Sequence, residues 1–229
     1  MLGKKCVFVP HLRKSMKNGA LVLGIALASN ATAADKRIGI LVFDGVLTSD
    51  VTAPIEVFGI ASKQSWFSDY KTLVINVGQD KSVTTEEGIR LLVDATLQDQ
   101  PSVDVLLMPS SYDMESLIEN QDLISYIQKT AEGAEWMASN CSGAFVLAEA
   151  GVLEGKKATT WAGGESDLAK AYPNVNVQYD TNYVIDGNVI TSNGSVVSYE
   201  AALALLEEMS SKSRAEEVKS ALQMQRIWK

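Results

Sequence analysis

The fold is decided by the stretch Trp136–Leu153, which reads WMASNCSGAFVLAEAGVL. Its apolar beginning predicts a strand that ends at Asn140, and the apolar spacing after Gly143 suits a buried helix. Cys141 then stands on a sharp turn between strand and helix. This is the geometry of a nucleophile elbow, in which a small residue two places after the reactive one, here Gly143, lets strand and helix pack closely.

The position of Cys141 predicts a reactive thiol. At such an elbow the sulfur lies over the N-terminus of the following helix, where unpaired N–H groups and the helix dipole favour the thiolate. The alternative is structural, because a lone cysteine in an apolar stretch behaves as a small buried hydrophobe. This stretch alone leaves both interpretations open.

Residues 1–33 have the pattern of a secretory signal peptide. Five basic residues precede an apolar run over 20–28, and the small residues Ala31-Thr32-Ala33 suit cleavage after Ala33. Met16 is an alternative start, since the segment that follows it is already a complete signal. The apolar run is short for a bilayer span, although an uncleaved membrane anchor is the alternative. We therefore expect a periplasmic or secreted protein whose single domain covers residues 34–229.

Cleavage would change the chemistry that remains available. Losing five basic residues and no acidic one takes the formal charge from −8 to −13. So acidic a protein repels phosphate, and we expect neither nucleic acid nor a membrane surface as a partner. Cys6 and His11 would also leave, so that Cys141 remains as the one cysteine, with no histidine beside it. An internal disulfide, a Cys-His dyad and a histidine metal site are then excluded. No metal-ligand spacing, phosphate-binding glycine loop or dinucleotide fingerprint occurs, so we predict no metal and no cofactor.

The order of apolar segments predicts one α/β domain. Strands are expected at 37–43, 71–77 and 104–108, hairpins at 82–92 and 183–191, helices at 51–62, 114–131 with a break near Asn120, and 199–209, a strand end at 158–161, a short helix up to Ala171, and a helical tail over 210–229. Strands that alternate with helices predict a doubly wound, mostly parallel sheet with helices on both faces. Asp50 follows the first strand at the edge where such sheets bind ligands, although capping the next helix is its simpler role.

Three segments together resemble one protein family. They read IGILVFDGV with DVTAPIEVF, NCSGAFVLAEAGVLEGKKATT, and DGNVITSNG. In order and spacing they are similar to the ThiJ/PfpI family of class I glutamine-amidotransferase-like proteins, and most to its isonitrile-hydratase-type branch, whose domain also occurs fused to AraC-type regulators. The resemblance covers residues 37–209. It implies a flavodoxin-like fold that is frequently dimeric, so a homodimer is expected.

The resemblance also implies roles for single residues. The family places an acidic residue against the cysteine, four positions before a proline, and Asp50 with Pro54 matches this pattern. In the hydratase-type branch a threonine with a functional hydroxyl follows the cysteine, where this chain has Ser142. Catalysis would then involve Cys141, Asp50 and Ser142.

Two departures from the family pattern affect the predicted activity. Pro109-Ser110-Ser111 replaces the usual Pro-Gly-Gly, whose backbone N–H groups help to form an oxyanion hole; Ser110 and Ser111 can donate the same N–H groups, at some cost in backbone strain. Trp161 stands where many relatives have a histidine, which disfavours protease or glutamine-amidotransferase activity. Trp161 is either a stacking wall for a ligand or part of the core.

These residues together suggest a cysteine-dependent hydratase or hydrolase. The Cys141 thiolate would attack a small electrophile such as an isonitrile or a 2-oxoaldehyde. Asp50, its pKa raised by burial and by the thiolate, would hold the proton, while the N–H groups of Ser142 and Ser111 stabilise negative charge. Two alternatives remain, a redox sensor that oxidises Cys141 to a sulfinic acid and a catalytically inactive ligand-binding protein.

Overall fold

A computed structural model describes residues 35–227, and the predicted signal peptide at 1–33 lies outside them. The strands are β1 (Lys36–Val42), β2 (Tyr70–Asn76), β3 (Ser82–Thr84), β4 (Arg90–Leu92), β5 (Ala95–Thr96), β6 (Val105–Met108), β7 (Trp136–Asn140), β8 (Lys157–Ala158), β9 (Asn176–Val177), β10 (Tyr183–Asp186) and β11 (Val189–Ser192). The α-helices are α1 (Thr48–Ala61), α2 (Glu115–Ile118), α3 (Gln121–Ala131), α4 (Gly143–Glu149), α5 (Glu165–Ala171), α6 (Val197–Met209) and α7 (Lys212–Ala221). Short 3₁₀ turns cover Leu97–Asp99 and Met224–Arg226.

The main sheet is mostly parallel, as predicted. Its strands lie in the order β10-β11-β7-β6-β1-β2-β5, and β10 runs antiparallel to β11 while the other pairs are parallel. The three central strands β7, β6 and β1 are almost entirely buried. Burial on both faces explains why these strands read as continuous apolar runs rather than as alternating ones.

Two groups of helices cover the sheet. Helices α1, α6 and α7 pack against one another, and helices α2, α3 and α4 form the second group. This is the predicted doubly wound, flavodoxin-like arrangement with helices on both faces. The hairpins β3/β4 and β10/β11 are confirmed, the latter turning at Asp186-Gly187 with Gly187 in the left-handed region. Within residues 35–227 no helix is both long and apolar enough to cross a membrane.

Most boundaries shift by one or two residues, and two larger differences from the prediction have a physical reason. The strand end expected at 158–161 stops at Ala158. After Ala158, the Thr159 N–H donates to the Thr191 hydroxyl instead of pairing along a strand. The Thr160 hydroxyl donates to the carbonyl of Cys141. Helix α1 begins at Thr48, three residues before the predicted start, and its N-cap Leu47 has no side-chain capping bond. The capping role considered for Asp50 is therefore wrong, because its carboxylate lies in the first turn and binds groups outside the helix.

Candidate active site

The sheet order brings the predicted site residues together. Strand β6 lies between β1 and β7, and all three run in the same direction. The segments that leave their carboxyl ends therefore meet at one edge of the sheet. These segments contain the predicted site residues: Asp50 follows β1, Ser110 follows β6 and Cys141 follows β7.

Cys141 occupies a true elbow. Its backbone φ is +51°, a left-handed conformation that is uncommon for residues other than glycine. Two hydrogen bonds hold it there: its N–H donates to the Ser192 carbonyl at 2.8 Å, and its carbonyl accepts from the Thr160 hydroxyl at 2.8 Å. A β-carbon on Gly143 would lie 2.3 Å from the carbonyl oxygen of Met108. The small residue predicted at this position is thus required by the packing of α4 against the end of β6.

Asp50 is fully buried and receives hydrogen bonds on both carboxylate oxygens. Oδ1 accepts from the Ser195 N–H and from the Ser198 hydroxyl, each at 2.8 Å. Oδ2 accepts from the Ser110 hydroxyl at 2.5 Å. Within residues 35–227 none of the salt bridges involves Asp50. The carboxylate is therefore held by neutral donors alone.

Pro54 has a physical role in placing Asp50. A proline inside a helix has no N–H to donate to the carbonyl four residues earlier, which here is the carbonyl of Asp50. That carbonyl instead accepts from the Asn140 side-chain amide at 3.1 Å. The Asn140 amide oxygen in turn accepts from the Ser192 hydroxyl at 2.6 Å. Because Pro54 cannot donate to it, the Asp50 carbonyl is free to accept the hydrogen bond from Asn140. This bond ties the first turn of α1 to the residue before Cys141.

The surroundings of Cys141 do not favour its ionisation, in contrast to the prediction. Burial is the main influence, and it raises the pKa of the thiol. The Ser110 hydroxyl lowers that pKa by hydrogen bonding, the Asp50 charge raises it, and the Ser142 N–H and hydroxyl lower it. Helix α4 has only seven residues, so the dipole expected to favour the thiolate is short.

The pKa of Asp50 moves in the predicted direction. Burial raises it above the usual range, while hydrogen bonds from Ser110, Ser198 and the backbone hold it down. A buried carboxylate with a raised pKa accepts a proton more readily than one in water. Asp50 is therefore suited to receive the proton of a neighbouring thiol.

The three serines at the site have different surroundings. Ser110 is fully buried and points its hydroxyl at Asp50. The Ser111 N–H is directed at the Met114 sulfur at 3.2 Å, a weak acceptor, and the Ser111 carbonyl accepts from the Ser142 hydroxyl at 3.0 Å. Ser111 and Ser142 face the cavity described next, whereas Ser110 is not among its lining residues.

An apolar cavity of about 420 Å³ opens beside Cys141. It is lined by Leu47, Ser111, Tyr112, Met114, Ile118, Cys141, Ser142, Phe145 and Trp161. The rings of Phe145 and Trp161 are stacked, with centroids 5.3 Å apart, and Trp161 is half-buried. Trp161 therefore forms a cavity wall as well as packing against the core. Among residues 35–227 no three histidine, cysteine or acidic side chains are grouped so as to hold a metal ion.

Sequence reasoning missed the residues that follow β11. Gly194, Ser195 and Ser198 press against Asp50 and Cys141 from a segment some 145 residues away in sequence from Asp50. Gly194 ends the third of the segments that resemble the family, and the Asn193-Gly194 pair marks a turn, but neither signal indicates what the turn contacts.

The fold and the site define a class: flavodoxin-like α/β proteins with a cysteine at a nucleophile elbow. The sequence model of the DJ-1/PfpI family matches residues 36–208, and the chain belongs to this family. It is 32% identical to the isonitrile hydratase of Pseudomonas putida over 174 residues, which are 76% of this chain and 72% of that protein. It is 29% identical to protein dj-1beta of Drosophila melanogaster over 155 residues, 66% of this chain and 81% of that one.

Solved structures agree on the fold. A ThiJ/PfpI family protein from Pseudomonas syringae matches with a TM-score of 0.73 at 23% identity, over 91% of this chain and 81% of that chain. An AraC family transcriptional regulator from Pseudomonas putida matches with a TM-score of 0.72 at 16% identity, over 82% of this chain and 99% of that chain. The family and branch predicted from the three sequence segments are confirmed.

Proposed function

We propose that the protein is a cysteine-dependent hydratase for small, uncharged, apolar electrophiles, with isonitriles as the favoured class. The observation that carries the proposal is the apolar cavity onto which Cys141 opens, whose lining contains no charged side chain. An ionic substrate would lose its hydration there without gaining a partner of opposite charge. An isonitrile carries an apolar substituent on a neutral reactive group, so it fits such a cavity. The similarity to an isonitrile hydratase points to the same class.

The reaction divides into two balanced steps. In the first, the Cys141 sulfur bonds to the isonitrile carbon, and the thiol proton ends on that carbon, giving a thioimidate. In the second, water adds across the C=N bond, with its oxygen on the carbon and one proton on the nitrogen; the C–S bond then breaks as the C=O bond forms, and the other water proton returns to the sulfur. The sum is isonitrile plus water to an N-substituted formamide. Asp50 holds the proton between bond-making events, and the Ser142 N–H stabilises the negative charge that develops during the reaction. The Ser111 N–H is directed at the Met114 sulfur, a weak acceptor, and has to leave it before it can donate to the substrate.

A 2-oxoaldehyde is the weaker candidate. It would form a hemithioacetal with Cys141. Both of its carbonyl oxygens are hydrogen-bond acceptors and need donors in the cavity. In the lining of the cavity the side-chain oxygen and nitrogen donors are limited to the hydroxyls of Ser111, Ser142 and the exposed Tyr112 and the indole N–H of Trp161. The largely apolar lining therefore suits an alkyl or aryl isonitrile better.

The test is turnover of a matched pair of isonitriles by the full chain. One probe is n-butyl isonitrile and the other is isocyanoacetate, of similar length but negatively charged. Formamide is measured by mass spectrometry in water enriched in oxygen-18, which labels the product oxygen. We expect labelled formamide from the butyl compound, with kcat/KM at least about tenfold higher than for the anion.

Cys141→Ala is the control variant for this assay, and methylglyoxal is the comparison substrate. Turnover of the butyl compound should disappear in the variant. Labelled formamide at an unchanged rate in Cys141→Ala, or conversion of methylglyoxal but of neither isonitrile, would refute the proposal.

We further propose export, with cleavage after Ala33, on the strength of the sequence pattern of residues 1–33. The intact mass of the protein recovered from the periplasmic fraction tests it. A mass that begins at Ala34 is expected, and a full-length chain confined to the cytoplasm would contradict it.

A further inference from the structure

The two hydrogen bonds that hold Cys141 in its left-handed conformation both depend on the segment that ends β11. The Cys141 N–H donates to the carbonyl of Ser192, the last residue of that strand. The Cys141 carbonyl accepts from the hydroxyl of Thr160, which is fully buried. The group that fixes Thr160 therefore also determines how firmly the Cys141 carbonyl is held.

The side chain of Asn193 binds Thr160. Its amide lies among three backbone carbonyls, and because a carbonyl only accepts, the amide nitrogen is the end that faces them. In this orientation the nitrogen is 2.7 Å from the carbonyl oxygen of Thr181, 2.9 Å from that of Thr160 and 3.3 Å from that of Asn182. The Asn182 carbonyl already accepts from the Asn193 backbone N–H at 2.9 Å. The two N–H groups of the amide therefore serve the Thr181 and Thr160 carbonyls.

These two carbonyls depend on the Asn193 amide. Among residues 35–227 no backbone N–H donates to the carbonyl of Thr160 or to that of Thr181. A carbonyl shielded from water without a donor costs free energy, so both hydrogen bonds hold the amide in place. Asn193 thus joins three segments: the loop after β8, the loop before β10 and the turn after β11.

We propose that Asn193 is a positioning residue that fixes the nucleophile through Thr160. Asn193 holds the Thr160 backbone, and the Thr160 hydroxyl holds the Cys141 carbonyl. Since Ser192 holds the Cys141 N–H, two consecutive residues fix the peptide groups on both sides of the Cys141 α-carbon. A left-handed residue relaxes when such bonds are lost, and the sulfur then no longer faces the apolar cavity. The importance of this positioning for isonitrile hydration rests on the proposed function.

The test compares the rates at which two maleimides of similar size react with Cys141 in the full chain at pH 7. N-butylmaleimide is uncharged, and N-(carboxymethyl)maleimide is an anion that the apolar cavity disfavours. Peptide mass spectrometry separates Cys141 from Cys6, and each rate is divided by the rate with N-acetylcysteine. The ratio of the two corrected rates concerns one sulfur at one pH, so the thiolate fraction cancels. The ratio therefore reports where the sulfur points rather than how reactive it is.

The variants interrupt the chain of hydrogen bonds at two points and leave the net charge unchanged. Asn193→Ala removes the amide, and Asn193→Leu, which is similar in shape to asparagine, takes its place if Asn193→Ala does not fold. Thr160→Val removes the hydroxyl and keeps the shape of the side chain, whereas Thr160→Ser keeps the hydroxyl. Asn182→Ala is the matched control, because the Asn182 amide donates to Glu200 at 2.8 Å and not to Thr160.

We expect the wild type to prefer the uncharged reagent by at least about tenfold, and Asn193→Ala and Thr160→Val each to reduce this preference to about threefold or less. The double variant should match the single ones, because Asn193 acts through Thr160. Thr160→Ser and Asn182→Ala should keep the wild-type preference.

Three outcomes would overturn the role of Asn193: equal corrected rates in the wild type, a wild-type preference in Asn193→Ala or Thr160→Val, or losses that multiply in the double variant. The assay uses no isonitrile. The expected pattern without hydration of any isonitrile would therefore refute the proposed function and leave the positioning role standing.

Discussion

Gly194 lies so close to Cys141 that a β-carbon on the glycine would be 2.5 Å from the β-carbon of the cysteine. The same added atom would be 3.0 Å from Oδ1 of Asp50, and Gly194 has a φ of +78°. The turn after β11 therefore packs directly against both Cys141 and Asp50, and Gly194 is not among the residues that line the cavity. It also carries Ser195, whose N–H holds Asp50 in place.

The first prediction compares two glycines that have the same φ. Gly151 also has a φ of +78°, but a β-carbon there would meet nothing within 4 Å. We expect Gly151→Ala to cost about 1 kcal/mol of unfolding free energy from backbone strain alone. Gly194→Ala should cost at least about 2 kcal/mol, since strain and overpacking combine, and should slow alkylation of Cys141. Urea unfolding of both variants measures the difference, and equal losses would contradict the close contact.

The second prediction concerns the pH dependence of stability through Asp50. Burial raises the pKa of Asp50 in the folded protein, so the folded chain binds this proton up to a higher pH than the unfolded chain does. The stabilising contribution is complete below the unfolded pKa and is lost as the pH rises through the folded pKa. Relative to wild type, Asp50→Asn should therefore gain stability as the pH rises from 4 to 8. Urea unfolding across this range measures the gain, and a pH-independent difference would contradict it.

The sequence predicted the scaffold and the two main site residues for identifiable reasons. Continuous apolar runs marked the central strands, and the small residues around Cys141 marked the elbow. The place of Asp50 after β1 put it at the ligand-binding edge of the sheet, and the family pattern of an acidic residue four positions before a proline placed it against Cys141. The lowered pKa predicted for Cys141 was wrong because burial of the thiol outweighs the short dipole of α4, and no local pattern reports how deeply the sulfur is buried. Ser110 was expected to act through its N–H, since nothing local indicates that its hydroxyl meets Asp50, sixty residues away in sequence.

The third prediction tests the link between Pro54 and Asn140. In the wild type, Asn140→Ala leaves the buried Asp50 carbonyl without its donor, which should cost about 1–3 kcal/mol. In a Pro54→Ala background, the new N–H at position 54 can donate to that carbonyl, so the same change should cost less. The lost contact of Asn140 with Ser192 is common to both backgrounds and cancels. A double-mutant cycle by urea unfolding should give a coupling of about 0.5 kcal/mol or more, and strict additivity would contradict the link.

The fourth prediction concerns substrate binding at the wall formed by Trp161. Its ring stacks on Phe145 and faces the cavity beside Cys141, so it should contact the apolar substituent of a bound isonitrile without taking part in bond making. Trp161→Ala should raise KM for n-butyl isonitrile about tenfold, equivalent to about 1.4 kcal/mol, with a much smaller change in kcat. Trp161→Phe keeps an aromatic face and should lie between. Trp136, at the far end of β7 and outside the cavity lining, is the matched control, and Trp136→Phe should leave KM as it is. If Trp161→Ala lowers kcat and leaves KM unchanged, the indole positions the elbow rather than the substrate, and the prediction is wrong.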